Sequence, residues 1–176
     1  MLTDEQLMLD FQGGSKEAFT ELFARYREPI YGYFRRRLAD AGRAEELAQE
    51  TFVAVLRAVQ RYEPRALFRT YLYGIALLQL AAERRKSARR EAYFEPTTID
   101  PPAAGNTEAE VTVRQALEKL APEEREVLML REYDQLSYAE IAALQRVPIN
   151  TVRSRLFRAR LALKELLVSP HAAGKG

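Results

Sequence analysis

Cysteine is absent from the 176 residues, which excludes disulfides and cysteine-ligated zinc. The single histidine, His171, stands near the carboxy terminus, away from the carboxylates. No histidine partners an acid, no glycine-rich loop is placed to hold phosphate, and no residues fall at metal-ligand spacing. The expectation is therefore a protein that is not an enzyme and holds no metal or cofactor. No apolar run approaches the ~18 residues that span a membrane, so membrane insertion is not expected. The amino terminus, MLTDEQLMLD, is acidic and polar, unlike a secretory signal, and a cytoplasmic location follows as an expectation. A dominant charge is missing too. Lys and Arg number 27 against 25 Asp and Glu, a net charge of +2, so the molecule is no polycation. Its charges are instead segregated. Glutamates gather around positions 45 to 50 and 123 to 126, arginines around 84 to 90 and 153 to 160. Such segregation points to separate faces for separate partners.

What is present is helical pattern. Apolar residues make up 47% of the chain, normal for a globular protein. Thr3 is placed to cap a first helix, Asp4 to Phe11, stopped at Gly13-Gly14. A second runs from Ser15 to about Ala39 and should kink or restart at Pro29. Asp40-Ala41-Gly42 reads as a turn, with a third helix from about Ala44 to Arg61 and a fourth from about Ala66 to Arg90. Phe94 to Thr107 holds three prolines and a glycine with little apolar pattern, and reads as an extended linker. Beyond it come helices over about 108–120 and 122–132, then a further helix pair. The expected architecture is all-α. Two small helical domains, 1–92 and 107–168, are joined by a flexible linker at 93–106 and followed by a tail at 169–176.

That helix pair is the sharpest motif. Ser137 and Glu140 form a capping box, Val147-Pro148 ends the first helix, and the second follows at once. Its apolar positions Ile149, Val152, Leu156, Ala159, Leu163 and Leu166 step by three and four along one buried face. Asn150, Thr151, Ser154, Arg155 and Arg158 fall opposite, with Arg153 and Arg160 at the flank. Short hydrogen-bonding groups and guanidinium forks suit base edges and phosphate oxygens. Cap, turn, stripe and polar face together define a DNA-binding helix-turn-helix.

Two further helices carry surface chemistry. In EELAQETFVAVLRAV the residues Leu47, Ala48, Thr51, Phe52, Val55 and Val59 share an inward face. Glu46, Gln49, Glu50, Val53 and Arg57 face out, with Leu56 at the edge. A charged face is ordinarily just solvated. Val53 framed by carboxylates departs from that, since an apolar centre with a polar rim is the pattern of a docking surface. The fourth helix is aromatic at its start (Phe68, Tyr71) and cationic at its end (Arg84, Arg85, Lys86, Arg89, Arg90). The aromatics by themselves read as core. Combined with the basic end and a second DNA-binding domain, they read as a platform for unpaired bases beside a phosphate-binding end.

In this order the elements resemble the extracytoplasmic-function (ECF) group of bacterial RNA polymerase sigma factors, over nearly the whole chain. LAPEEREVLMLREYDQLSYAEIAALQRVPINTVRSRLFRARLAL is similar to the family's carboxy-terminal domain, which reads the minus-thirty-five promoter element. AEELAQETF resembles its acidic helix that docks on the beta-prime clamp helices, and Phe68 to Arg90 the helix that melts and reads the minus-ten element. The resemblance implies core RNA polymerase as partner, through the beta-prime clamp helices and the beta flap, with promoter DNA and an anti-sigma factor beside it. It implies minus-thirty-five contacts from Asn150, Thr151, Arg153, Ser154, Arg155 and Arg158. Minus-ten contacts would come from Phe68, Tyr71, Leu78, Arg84, Arg85 and Arg89, and polymerase contacts from Glu46, Gln49, Glu50 and Val53.

Four places in the chain depart from the family pattern. Tyr71 stands where tryptophan is usual, and Leu77-Leu78 where an asparagine bearing on minus-ten reading is common. Glu63-Pro64-Arg65 replaces an arginine- and glycine-rich loop, and Arg146 replaces the turn glycine of the helix-turn-helix, acceptable if that turn needs no positive φ. The alternative is a stand-alone helix-turn-helix regulator that binds paired half-sites without polymerase. It has no need of the acidic helix. An RNA-binding helical protein is a more distant third.

Overall fold

The computed structural model describes residues 1–93 and 107–168. Two compact units divide the chain, Met1–Ala103 and Ala104–Gly176. The expected linker, but for Tyr93, and the expected tail with His171 lie outside the described residues. Among those described there are eight α-helices and no strand.

The first unit contains α1 (Asp4–Gln12), α2 (Lys16–Arg37), α3 (Ala41–Ala58), a 3₁₀ turn (Val59–Arg61) and α4 (Phe68–Tyr93). Side-chain oxygens start the first three helices. Thr3 accepts from the Gln6 N–H, Ser15 from Ala18 and Asp40 from Arg43, each satisfying a donor that has no partner within its helix. Asp40-Ala41-Gly42 is accordingly no separate turn: Asp40 is the cap, and Ala41 and Gly42 open α3. Nor does Pro29 restart α2, which runs as one helix through it. Ile30, Tyr33 and Phe34, just beyond the proline, are fully buried. Burial of side chains of this size is worth about 1.5–3 kcal/mol each, enough to hold the helix across a lost hydrogen bond.

The core of this unit is where α2 packs on α1, α3 and α4. Met8, Leu22, Leu47, Phe52, Val55, Leu72 and Tyr73 fill it. Around Phe68 lie Tyr26, with ring centres 5.6 Å apart, Tyr62 at 6.3 Å and Tyr71 at 6.1 Å. The segment leading into α4 is held from α1. Gln12 Nε2 donates to the carbonyls of Val59 (2.9 Å) and Tyr62 (3.1 Å). Leu67, the residue before α4, has no side-chain acceptor. Glu5 of α1 supplies one, its Oε1 accepting the Phe68 N–H at 2.7 Å.

The second unit contains α5 (Glu108–Glu118), α6 (Pro122–Glu132), α7 (Tyr138–Gln145) and α8 (Ile149–Val168). Capping boxes open both α5, at Thr107 and Glu110, and α7, at Ser137 and Glu140. α8 packs along α5, α6 and α7, and Val127, Leu130, Leu136, Ile141, Val152, Leu156 and Ala159 are buried between them. The expected stripe of α8 is deepest at Val152, Leu156 and Ala159. Ile149 is exposed at the start of the helix, and Leu163 and Leu166 are half-buried. Both turns around α7 use left-handed backbone at residues that bear a Cβ, Gln135 (φ 56°) and Arg146 (φ 55°). Arg146 thus does occupy a position that favours glycine, at a cost of about 1–2 kcal/mol. Its N–H still bonds the Ala143 carbonyl and that of Val147 the Ala142 carbonyl, which closes the helix end.

Candidate nucleic-acid interface and docking face

On α3 the inward side chains Leu47, Ala48, Thr51, Phe52 and Val55 are buried and Val59 is half-buried. Glu46, Gln49, Glu50, Val53 and Leu56 are exposed, so an apolar pair does stand beside carboxylates on an open face. Arg43 organises those carboxylates. Its Nη1 donates to Glu46 (2.8 Å) and Glu50 (3.2 Å), and its Nη2 to Glu83 of α4 (2.8 Å). Glu46 and Glu50 are more than half exposed, whereas the Glu83 side chain is only 7% exposed. The hydrogen bond from Arg43 holds the Glu83 carboxyl below its ordinary range, outweighing a burial effect of opposite sign. The same bonds raise the Arg43 guanidinium, so both partners stay charged at neutral pH. Sequence reasoning missed Arg43 and Glu83. The steps of three and seven from Arg43 to Glu46 and Glu50 were readable on one helix face, but the partner 40 residues away was not.

On α4 the structure separates the expected minus-ten residues. Phe68 is 1% exposed, a core ring enclosed by Tyr26, Tyr62 and Tyr71, and has no face open to a base. Its assignment to DNA contact is corrected on that ground. Tyr71 is half-buried, its ring 5.2 Å from that of Tyr62, and burial raises the pKa of its hydroxyl. Tyr62 is more deeply buried. Its hydroxyl has no hydrogen-bond partner, and its pKa is pushed up to about 12 by burial and by the charge of Glu5. Leu78 is 69% exposed, and Arg84, Arg85 and Arg89 are exposed. At ~100° per residue, Tyr71, Leu78, Arg85 and Arg89 line one side of α4, and Arg84 falls on the other.

On α8 Asn150, Arg153, Ser154 and Arg158 are exposed, and Thr151 and Arg155 are half-buried. Asn150 is the centre of a small network. Its Oδ1 accepts from Arg153 Nη1 at 3.0 Å and its backbone carbonyl from Ser154 Oγ at 2.9 Å. Arg155 makes a long 3.5 Å contact to Gln145 at the end of α7. Arg158 and Arg160 reach back to α6, to Glu124 (2.9 Å) and Glu132 (2.8 Å). The hydrogen bond from Arg160 to Glu132 raises its pKa. Phe157, between these cations, is 70% exposed. Its position outside the apolar stripe was the available signal, and the sequence reading did not use it.

Among the described residues no His, Asp or Glu cluster is arranged to hold a metal, and no helix is long and apolar enough to cross a membrane. The described residues thus form two all-helical units, the second carrying a helix-turn-helix with a polar, arginine-bearing outer face. Residues 22–90 match the family Sigma-70 region 2, and residues 110–163 match Sigma-70, region 4. The RNA polymerase sigma-H factor of Pseudomonas aeruginosa is 36% identical over 180 residues, covering 93% of each chain. The ECF RNA polymerase sigma-E factor of Escherichia coli is 31% identical over 178 residues, 92% of this chain and 93% of the relative. Among solved structures, CnrH in complex with the cytosolic domain of CnrY superposes with a TM-score of 0.74 at 27% identity, covering 95% of this chain and 98% of that one. The chain belongs to the ECF group of RNA polymerase sigma factors. Its function is therefore to direct core polymerase to specific promoters and start transcription, and the reading as a stand-alone regulator falls away.

Proposed function

We propose that the two units divide that task. The first, residues 1–92, docks on the beta-prime clamp helices through Glu46, Gln49, Glu50 and Val53, and opens and reads the minus-ten element with α4. The second, residues 107–168, reads the minus-thirty-five duplex with α8. The observation that carries the division is the segregation of exposed chemistry. Carboxylates around an apolar centre occupy α3, and hydrogen-bonding and guanidinium side chains occupy the outer face of α8. An acidic face favours a cationic protein partner, and a basic one favours phosphate and guanine.

On α4 the minus-ten surface is the line Tyr71, Leu78, Arg85 and Arg89. Arg84 adds phosphate attraction from the other side, and Phe68 supports Tyr71 from the core. Leu78 offers no hydrogen bond to a base, so it reads by shape and apolar contact alone. On α8 Asn150, Thr151, Arg153, Ser154, Arg155 and Arg158 face the major groove or its phosphates. The protein works in the cytoplasm with core polymerase, the beta flap as a second docking point, and promoter DNA. An anti-sigma factor restrains it, in keeping with the solved complex of CnrH, 27% identical to this chain, with the cytosolic domain of CnrY.

Two variants test the division. Reversing charge on the docking face, Glu50→Lys, should weaken core-polymerase binding at least about tenfold without altering which promoters the remaining holoenzyme selects. Asn150→Ala with Arg153→Ala should change promoter choice at unchanged core affinity. If both variants move the same readout, the assignment of one task to each unit is wrong.

A further inference from the structure

The contact between Arg158 and Glu124 joins two helices that sequence spacing does not connect. Glu124 lies in the first turn of α6, where a carboxylate is favoured by the unpaired amides of the helix start. Its side chain is 19% exposed, and that of Arg158 is 56% exposed. The geometry is selective: Glu124 Oε1 accepts from Arg158 Nε, the inner nitrogen, at 2.9 Å. A guanidinium carries five N–H groups, four of them on the two terminal nitrogens. Holding the Nε–H fixes the guanidinium plane and leaves the terminal nitrogens for an outside acceptor. Two parallel donors on a fixed plane suit O6 and N7 of guanine.

As a staple the contact is weak. A pair this open to solvent adds little to stability, and α6 and α8 are already joined through Val127, Leu130, Val152, Leu156 and Ala159. Its larger consequence is orientation, because an arginine at a bidentate site loses affinity when its fork must be ordered on binding. The carboxylate also repels phosphate, so it lowers attraction to DNA of any sequence while leaving the base contact in place.

We propose that Glu124 is a specificity-determining residue of the minus-thirty-five reading: it positions Arg158 for a guanine through the Nε–H and suppresses unspecific DNA binding. This rests on the assignment of α8 to the minus-thirty-five duplex. Glu124 is a positioning residue and need not touch DNA.

The test uses holoenzyme assembled from the full chain and core polymerase. Binding is measured to a promoter fragment, to fragments substituted at each minus-thirty-five base pair, and to a fragment without promoter sequence. Arg158→Ala should lose about 5- to 100-fold discrimination at one or two base pairs. Glu124→Ala should lose about 3- to 10-fold at those same pairs and bind the promoter-free fragment more tightly. Glu124→Gln keeps an acceptor for the Nε–H without the charge. It should retain most of the discrimination but share the tighter unspecific binding. The double variant Glu124→Ala with Arg158→Ala should discriminate no worse than Arg158→Ala alone. Full discrimination in Glu124→Ala beside a loss in Arg158→Ala overturns the proposal and leaves the α8 assignment standing. Equal losses of discrimination in Glu124→Gln and Glu124→Ala also overturn it, because a positioning hydrogen bond would have been kept by Gln. Unchanged discrimination in Arg158→Ala overturns both.

Discussion

Replacing Arg43 with glutamine should be among the most damaging single changes on the surface of the first unit. Arg43 answers three carboxylates, and they are not equivalent. Glu46 and Glu50 are 65% and 51% exposed, so each loses about 0–1 kcal/mol without the arginine. Glu83 is different, because its side chain is 7% exposed and water cannot replace the lost partner. Breaking a fully buried pair from one side costs about 3–5 kcal/mol. The Arg43 side chain is itself 24% exposed, so water reaches one end of this pair. A net loss of about 2–4 kcal/mol is expected once that screening is allowed for. For a unit of this size that lowers the melting temperature by roughly 10–20 °C. The assay is thermal and urea unfolding by far-ultraviolet circular dichroism, with Glu46→Gln, Glu50→Gln and Glu83→Gln as companions. Glu46→Gln and Glu50→Gln should each cost under about 1 kcal/mol. Glu83→Gln should cost less than Arg43→Gln, because its amide oxygen remains an acceptor. The double variant Arg43→Gln with Glu83→Gln should cost less than the sum of the two single changes, since it leaves no buried charge unpaired. If Arg43→Gln costs no more than Glu46→Gln, the burial argument fails.

Acid should probe the same pair. Glu83 is held below the ordinary carboxylate value of 4.5 in the folded state, so its contribution is present above that value and lost as pH falls through the lower folded pKa. The stability of Glu83→Gln should accordingly fall less steeply than that of the parent below about pH 4.5; parallel curves would show that Arg43 does not hold the Glu83 carboxyl below its ordinary range. Arg146→Gly should stabilise the second unit by about 0.5–1 kcal/mol, the relief of left-handed strain minus the added freedom of the unfolded chain. A urea midpoint lower than that of the parent would contradict the strain assigned to that turn. Glu5→Ala should cost about 1 kcal/mol by removing the acceptor for the Phe68 N–H, and amide exchange at the start of α4 should rise. Leu78→Asn should shift or sharpen base preference at the minus-ten element in a promoter library, and an unchanged preference would take Leu78 off the reading surface.

Local signals carried far in this chain. Thr3, Ser15 and Ser137 each announced a helix start through a side-chain oxygen, and each accepts the N–H of the third residue beyond it. The steps of three and four in α3 sorted buried from exposed side chains residue by residue. Asp40 carried the same kind of signal, but the following Ala41-Gly42 outweighed it in the reading. The structure gives weight to the cap instead, because α2 and α4 bury the face of α3 that begins at Ala44. Phe68 failed for another reason. One period on a helix cannot say whether an aromatic at its start meets solvent or a neighbour, and here Tyr26 and Tyr62 enclose it from two other elements. The pairings of Arg43 with Glu83 and of Arg158 with Glu124 were illegible for the same reason. They join helices distant in the chain, and only packing brings the partners within hydrogen-bond reach.

The most direct test of the account is transcription in vitro with purified core polymerase over genomic fragments, comparing the parent protein with Glu50→Lys and with Arg158→Ala. The parent should bind core enzyme at moderate salt and start transcripts from discrete promoters that share two spaced elements. Glu50→Lys should reduce all of them together through lost core binding, and Arg158→Ala should redistribute them among promoters at unchanged core binding. No complex with core enzyme, or tight promoter binding that needs no polymerase, would contradict it.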